Sequence, residues 1–270
     1  MTGLRTHRSL RLALVGIVVA LAASVLVELA QAGWVPLPSI SDYFYSPARG
    51  VFVGGLVAAA VALLALSGRD AESIMLDIAA VFAPLIAIVP TGYRGRPVVP
   101  EDVLATVRNG VGVYIVMVAA LVALSMVLAS RGETAWRRVG IVGGIATVTA
   151  AALGVLAFAP GVAGQFPFPG GVNVHLVATV CFFVMFAAIP LVSVFSRDAR
   201  PGPVYRGIYA AVSVVITIAL ILAIVSVIAD PDTIGVLIGE AVALTAFAVF
   251  WMTQTVERWR DADPPSILVG

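Results

Sequence analysis

Three acidic side chains lie inside apolar stretches of this sequence, where they could hold protons or ligands. They are Glu28, Asp77 and Glu240. An ionisable group within a membrane costs about 2.5 to 3.5 kcal/mol on insertion scales, which indicates a structural or functional role. Glu28 lies near the end of its stretch, where we expect it to reach the interface. Glu240 follows Gly235 and Gly239 in the last apolar stretch and is the strongest candidate for a polar pocket.

Asp77 lies about one helical turn inside its apolar stretch. The nearest basic residues by position are Arg69 and the Arg137-Arg138 pair. A carboxylate at this depth is expected to be neutralised by a guanidinium. We therefore predict a structural ion pair of Asp77 with Arg69, or with one of the other two arginines.

The segment from Ser39 to Arg49 concentrates aromatic and charged residues before the second apolar stretch. It contains Asp42, Tyr43, Tyr45 and Arg49. Amphipathic rings and an Arg at headgroup depth are typical of an aromatic belt. The alternative is a recognition surface, in which Arg49 binds a carboxylate or phosphate and the rings hold an apolar or sugar face.

Further polar residues open two later apolar stretches. Asp102 and Arg108 precede the fourth, and His175 begins the sixth. Beside Asp42, Asp102 or Glu240, a His could act as a general base, a proton relay or a pH sensor. The alternative is a hydrogen-bonded structural His at the interface. With the Ser39 to Arg49 segment, these residues complete a candidate ligand site.

The composition excludes several classes of active site. All sixteen basic residues are Arg, so the chain lacks the Lys of a phosphate-binding loop or of a retinal or pyridoxal Schiff base. Catalytic zinc takes three protein ligands, commonly two or more of them His, and the chain has two His in all, so we predict no metal and no cofactor. Cys181 is expected to be a small buried apolar residue. A formal net charge of +1 does not point to nucleic acid.

The elements that must position these residues are membrane-spanning helices. Of the 270 residues, 61% are hydrophobic and 11% are charged, and the mean hydropathy is +1.07. Eight stretches have about the 20 residues that cross a hydrocarbon core about 30 Å thick. None of them has the alternating pattern of barrel strands, so we predict an all-α polytopic bundle. The stretches are 12–32, 50–67, 73–90, 109–129, 138–159, 174–195, 207–229 and 233–254.

The distribution of Arg predicts the orientation of the bundle. With a cytoplasmic N-terminus, twelve Arg lie on the inner side and four on the outer side. This bias favours an N-in, C-in protein of the inner or plasma membrane, with tails at 1–11 and 256–270 and one helical domain at 12–255. In the alternative interpretation, Arg5 to Arg11, the first apolar run and Ala30-Gln31-Ala32 form a cleaved signal peptide.

The predicted outer loops at 33–49, 91–108 and 161–173 are long and rich in Pro, Gly and aromatic residues, so a site is expected to face outward. Two short segments are similar in sequence: Leu104-Ala105-Thr106-Val107 and Val177-Ala178-Thr179-Val180. Their similarity is compatible with an internal duplication that places Asp102 opposite His175.

Small residues predict helix packing faces. GxxxG spacing lets helix backbones approach closely, within the bundle or between subunits of a homo-oligomer or a larger membrane assembly. On this basis, Gly144→Leu and Gly239→Leu are expected to destabilise the bundle. Pro84 and Pro190 lie inside the third and sixth stretches and predict kinks. The GxxxG motifs are Gly50 to Gly54, Gly140 to Gly144 and Gly235 to Gly239.

Several segments resemble a family of uncharacterised bacterial multipass proteins classed as a domain of unknown function. The carrying residues are Ser41 to Gly54, Val89-Pro90-Thr91, and Val174 to Ala178 followed by Phe182-Phe183, which together span about residues 39 to 196. The chain departs from that pattern because its His-led helix comes two helices later, at His175. The resemblance implies a multipass inner-membrane protein and supplies no activity. The residues that match the motifs of that family are Asp42, Tyr43, Tyr45, Arg49 and His175.

Three functions are compatible with these residues. The first is a non-enzymatic accessory protein, or a binder of lipids or small ligands, because the sequence shows no set of nucleophile and base. The second is a secondary transporter, supported by the intramembrane acids. The third is an intramembrane enzyme on a lipid phosphate, with His175 as base and Arg49 on the phosphate. Membrane lipids are the expected partners.

Overall fold

The computed structural model describes residues 2–67, 71–93, 96–195, 201–229 and 233–259. The predicted all-α fold is confirmed: eight long helices are present, and the described residues form no strand beyond one isolated bridge. The helices are α1 (Thr2–Gln31), α2 (Arg49–Leu66), α3 (Ala71–Ile88), α4 (Glu101–Ser130), α5 (Trp136–Phe158), α6 (Val174–Phe195), α7 (Pro203–Ala229) and α8 (Gly235–Glu257).

Six of the helices form a closed ring. Around it, α1, α2, α3, α6, α7 and α8 each pack against the next, and α8 returns to α1. The remaining two, α4 and α5, form a hairpin that packs against α3 from outside the ring. Aromatic residues of α6 and α8 fill part of the interior, where the ring centroids of Phe186 and Phe247 lie 4.3 Å apart. The ring is the frame that holds the candidate site.

Among the described residues, seven helices are long and apolar enough to cross a membrane, and the chain is a multipass membrane protein. The remaining predicted span, α3, has 18 residues, as α2 does, and its apolar part is Ser73–Ile88. At 1.5 Å per residue this part measures about 24 Å. It lies between α2 and α6, with Ala79, Ala83 and Ala87 fully buried. Because protein surrounds α3, it does not need to match the full hydrocarbon thickness.

The ends of α3 nevertheless reach both ends of the bundle. Near its start, Asp77 contacts Arg138 at the beginning of α5. Beyond its end, Thr91 donates a hydrogen bond to Asp42 in the α1–α2 connection. The α1–α2, α3–α4 and α5–α6 connections therefore share one end of the bundle, called here the loop end. Arg8 donates a hydrogen bond to the carbonyl of Trp259, so the described chain begins and finishes at the opposite end.

The two predicted proline positions lie within α3 and α6, and both are supported by a neighbouring helix. A proline removes one helical hydrogen bond and crowds the carbonyls of the preceding turn. The carbonyl three residues before Pro84 belongs to Val81, and it accepts a hydrogen bond from the Tyr114 hydroxyl at 3.0 Å. The carbonyl three residues before Pro190 accepts one from Ser213 of α7. Hydroxyls of neighbouring helices thus satisfy backbone groups that water cannot reach.

One of the three GxxxG motifs is a packing face within the chain. A Cβ on Gly239 would lie 2.9 Å from the Ala219 carbonyl oxygen and 3.0 Å from Ala223 Cβ, so this glycine lets α7 and α8 approach closely. A Cβ on Gly144 would meet no described atom within 4 Å. The same holds for Gly50, Gly54 and Gly140, so these glycines make no close approach to another described helix. Packing between subunits stays a prediction for these two motifs.

Candidate functional site

The α1–α2 connection folds back over the loop end because its own side chains cap it. The backbone N–H and the hydroxyl of Ser39 donate to Asp42 at 3.1 and 2.9 Å, and the Asp42 N–H donates to Ser39 Oγ at 3.0 Å. A short 3₁₀ helix, Ser41–Tyr45, follows at once. Thr91 Oγ1 donates to the second Asp42 oxygen at 2.8 Å. Asp42 therefore fixes this turn and fastens it to the end of α3.

Ser41 is the junction of the site. Its Oγ lies 2.8 Å from His175 Nε2 and 3.1 Å from Glu240 Oε1. The second Glu240 oxygen accepts a hydrogen bond from the Ile40 N–H at 2.6 Å, and His175 Nδ1 lies 2.6 Å from the Val89 carbonyl oxygen. Ser41 and His175 are 4% and 3% exposed, while Glu240 is partly buried. One chain of hydrogen bonds thus joins α3, α6, α8 and the α1–α2 connection.

If every contact in this chain is a hydrogen bond, the donors and acceptors define how many protons it holds. A carbonyl oxygen accepts and does not donate, so His175 Nδ1 must carry a hydrogen toward Val89. With a neutral imidazole, Ser41 donates to Nε2 and must accept a hydrogen from a protonated Glu240. With an imidazolium, Nε2 donates to Ser41, which donates to a Glu240 carboxylate. In both arrangements His175 and Glu240 together hold one exchangeable proton, and the pair has no net charge.

A central cavity lies directly below this chain, inside the helix ring. Its volume is about 60 Å³, or about 650 Å³ when the open space at its mouth is included. Its wall is almost wholly apolar and includes the rings of Phe52, Phe182, Phe183 and Phe247. The polar side chains at its border are those of Ser41, Glu240 and Thr179. A cavity with an apolar wall and a few converging polar groups is the usual form of a small-molecule site.

A second cavity lies between α6, α7 and α8. Its volume is about 40 Å³, or about 410 Å³ with the open space included, and its lining includes Glu240, Thr179 and Phe183. These three residues also line the central cavity. Glu240 therefore stands where the two cavities adjoin.

The predicted aromatic residues stabilise the connection. The Tyr45 hydroxyl donates to the Thr91 carbonyl at 2.7 Å, and its ring packs edge to face on Tyr93 with centroids 5.0 Å apart. Burial and, to a lesser extent, the nearby Asp42 raise the pKa of Tyr45, so the phenol remains a donor. Tyr43 is 1% exposed, and its hydroxyl has no hydrogen-bond partner among the described residues. Both tyrosines pack the turn and do not reach into the cavity lining.

Arg49 begins α2 and lies over the ring of Phe44, with its guanidinium carbon 4.2 Å from the ring centroid. No carboxylate of the described residues lies within 4.0 Å of it. Asp42 and Glu240, the acids considered as its partners, take their hydrogen bonds from Ser39, Ile40, Ser41 and Thr91. The cation–π contact holds Arg49 at a helix start, where the helix dipole disfavours positive charge.

Two predicted site residues lie elsewhere. Asp102 is exposed in the first turn of α4, outside the ring, while His175 is buried within it. Arg108 donates to the Ala163 carbonyl at 2.9 Å and joins α4 to the α5–α6 connection. The structure therefore brings Asp42, His175 and Glu240 together and places Asp102 and Arg108 with the outer hairpin.

Asp77 forms its structural ion pair at the opposite end, with Arg138. Their side chains are 5% and 25% exposed, and Arg138 Nε donates to Asp77 at 2.7 Å. Arg138 also donates to Ser67 Oγ at 2.7 Å. The pair joins α3 to α5 and the end of α2. Arg69, the other predicted partner, lies outside the described residues.

Three site residues were missed by the sequence analysis: Ser39, Ser41 and Thr91. Short hydroxyl side chains are common in loops and carry no periodic signal. Ser41 is separated from His175 by 134 residues and from Glu240 by 199. Their proximity depends on how α6 and α8 pack in the ring, which a local pattern does not encode.

Comparisons with protein-family models, with curated proteins and with solved structures found no match for this chain. The resemblance to a multipass family therefore remains a prediction. In the described part of the chain, no group of three or more His, Cys, Asp or Glu side chains is placed to hold a metal ion. The function has to be argued from the site itself.

Proposed function

We propose that this protein binds an amphipathic small ligand or lipid inside the helix ring, without chemical conversion, in the cell membrane. The ligand's apolar part occupies the central cavity and its polar end contacts Ser41 and Glu240. The observation that carries the proposal is the position of these two polar side chains at the border of a cavity whose other lining residues, apart from Thr179, are apolar.

Desolvation supports this assignment. An apolar chain gains about 0.8 kcal/mol for each methylene that it removes from water, and aromatic walls provide contact area at little entropic loss. A carboxyl group in an apolar wall is unfavourable unless its hydrogen-bonding capacity is used. The Ile40 N–H and the Ser41 hydroxyl use one lone pair on each Glu240 oxygen, and each oxygen has a second. A polar ligand group can bind there.

Photocrosslinking tests the proposal. The purified protein is placed in lipid nanodiscs with a ten-carbon alcohol that carries a diazirine on its chain, and the labelled residues are identified by peptide mass spectrometry. We expect labelling of cavity residues on α2 and α6, such as Leu56 and Phe183, and loss of this labelling when unlabelled decan-1-ol is added. Labelling confined to lipid-facing side chains, with no competition, would overturn the proposal.

A matched pair of variants separates the cavity from the lipid surface. Leu56→Trp adds bulk to the wall of the central cavity and is expected to lower competable labelling several-fold. Leu64→Trp makes the same change on the same helix at an exposed position and should leave the labelling unchanged. Equal labelling in both variants would show that the probe binds elsewhere.

A secondary transporter is the second candidate, and one observation favours it. Glu240 lines both cavities, so a ligand or proton held there faces two compartments of the bundle. In transporters, substrate and ion sites lie between helices and alternate between two accesses. Movement of a labelled ligand across proteoliposome membranes under a proton gradient would support transport, while binding without movement would leave the protein as a ligand binder.

A further inference from the structure

We infer that the ligand of the central cavity carries a protonated amine, which binds Glu240 in exchange for the proton that Glu240 shares with His175 through Ser41. This inference rests on the proposed function and specifies its ligand class. Three steps support it: the charge of the site, the chemistry of the cavity wall and the balance of the exchange.

The charge of the site favours a cation. Asp42 is held by three hydrogen-bond donors, as expected for a carboxylate, and Glu240 becomes a second negative charge when the shared proton leaves. The titratable groups that face Glu240 are His175 from α6 and Asp42 from the α1–α2 connection. The parts of α1, α2 and α7 that line the two cavities present apolar residues. Arg49, the nearest basic residue in sequence to this turn, is stacked on Phe44.

The wall of the central cavity also favours a cation with an apolar body. Four Phe rings line the cavity, contributed by α2, α6 and α8. Aromatic faces attract ammonium groups, and more strongly so where water is excluded. An anionic headgroup would instead meet the negative end of this site and the electron-rich faces of the rings. A neutral alcohol would bind the same wall without gaining the charge interaction.

The exchange balances in atoms and charge. An alkylammonium enters, and its N–H groups donate to the free lone pairs of the Glu240 carboxylate. The shared proton leaves to solvent, either from Glu240 directly or from the imidazolium by transfer through the Ser41 hydroxyl. His175 remains neutral, with Nδ1 donating to Val89 and Nε2 accepting from Ser41. The Ser41–Glu240 hydrogen bond is lost in this state, and Glu240 Oε1 accepts from the ammonium instead. The Ile40 N–H holds the second carboxylate oxygen throughout.

Competition in nanodiscs tests the inference with decylamine, decan-1-ol and decanoate, three probes of equal chain length. Each is titrated against the photolabelling of the central cavity between pH 6 and 8.5. An alkylamine has a pKa near that of Lys, about 10.4, so decylamine remains cationic over this range. We expect decylamine to compete at the lowest concentration and decanoate at the highest. Because one proton is exchanged, the apparent affinity for decylamine should rise by up to about tenfold per pH unit while the site is protonated.

Variants locate the effect. Glu240→Gln keeps an acceptor for Ile40 and a polar partner for Ser41, and it should abolish both the preference for decylamine and its pH dependence while decan-1-ol still competes. Glu257→Gln makes the same change at the other end of α8, where the carboxyl accepts from Tyr209, and should retain both properties. The wild-type probe series remains decisive if Glu240→Gln fails to fold.

The outcomes distinguish this inference from the proposed function. If decylamine and decan-1-ol compete equally at every pH in the wild-type protein, the ligand is amphipathic but not an amine, and the inference is wrong while the proposed function stands. If none of the three probes competes, both are wrong. A preference for decanoate would overturn the inference and point to Arg49 as the headgroup partner.

Discussion

Ser41 Oγ lies 2.8 Å from His175 Nε2, although 134 residues separate them in the chain. The contact joins the short turn before α2 to the beginning of α6, and the Val89 carbonyl fixes the imidazole from its other side. Because the imidazole is held at both nitrogens, its orientation is determined by α3 and by the α1–α2 connection together. Among the described residues, Ser41 is the one whose hydroxyl contacts both His175 and Glu240.

Ser41→Ala should lower the free energy of unfolding by about 1 to 3 kcal/mol, because it leaves a ring nitrogen and a carboxyl oxygen without a buried partner. Unfolding by SDS titration in mixed micelles measures the change. Ser125→Ala is the control, since Ser125 is only partly buried and its hydroxyl donates within its own helix to the Leu121 carbonyl. It should change the stability by less than about 0.5 kcal/mol. Equal effects of the two variants would show that the Ser41 contacts contribute nothing.

Much of this fold could be predicted from the sequence because membrane helices have a strong local signal. Each long apolar run must form its own backbone hydrogen bonds in lipid, so length and hydropathy are sufficient to locate it. The signal also located α3, although neighbouring helices surround much of this helix. Hydropathy does not predict the ring, because α3 packs on α6, which is distant in the chain, as well as on its neighbours α2 and α4.

The candidate site was predictable in part. Asp42, His175 and Glu240 were found because ionisable groups near or within lipid are costly and therefore conspicuous. The same argument selected Asp102 and Arg108, which lie on the outer hairpin, because cost alone does not indicate which helix faces which. This argument did not select Ser41, because placing a hydroxyl near or within lipid costs little free energy. The partners of a costly residue depend on packing, and packing is not local.

Asp77 and Arg138 provide the second prediction. Removing one member leaves a buried or half-buried charge without its partner, so Asp77→Asn or Arg138→Met should each destabilise the protein by about 3 to 5 kcal/mol. The double variant should recover a large part of this loss, because neither charge remains. Arg137→Met, at an exposed position beside the pair, is the control and should have little effect. Additive losses in the double variant would contradict the ion pair as the cause.

The two glycines provide the third prediction. Gly239→Leu should destabilise the bundle by about 1 to 3 kcal/mol, because its side chain would collide with the Ala219 carbonyl and the Ala223 side chain of α7. Gly144→Leu enters open space and should leave monomer stability nearly unchanged. Thermal unfolding in detergent compares them. The reverse order of stability would refute the close approach of α7 and α8 at Gly239.

Topology is the fourth prediction. The described chain begins and finishes at one end of the bundle, and the bias of Arg assigns that end to the cytoplasm. A reporter that is active in the cytoplasm should therefore be active when it is fused after Gly270 or placed at Ser67-Gly68. An insertion at Gly164, in the α5–α6 connection, should be active with a reporter that requires the opposite compartment. Cytoplasmic activity at Gly164 would invert the assignment of the loop end.

Arg49 provides the last prediction. Its guanidinium stacks on Phe44, and a Lys cannot reproduce a planar stacked contact, so Arg49→Lys should lower the free energy of unfolding by about 0.5 to 1 kcal/mol. If stacking is the cause, Arg49→Lys should have no further effect in a Phe44→Leu background, because the ring is already gone. Arg137→Lys is the exposed control. Unchanged stability together with weaker retention of anionic lipid in native mass spectrometry would instead assign Arg49 to a lipid phosphate. Normal stability and normal lipid retention would leave it as a solvated rim residue.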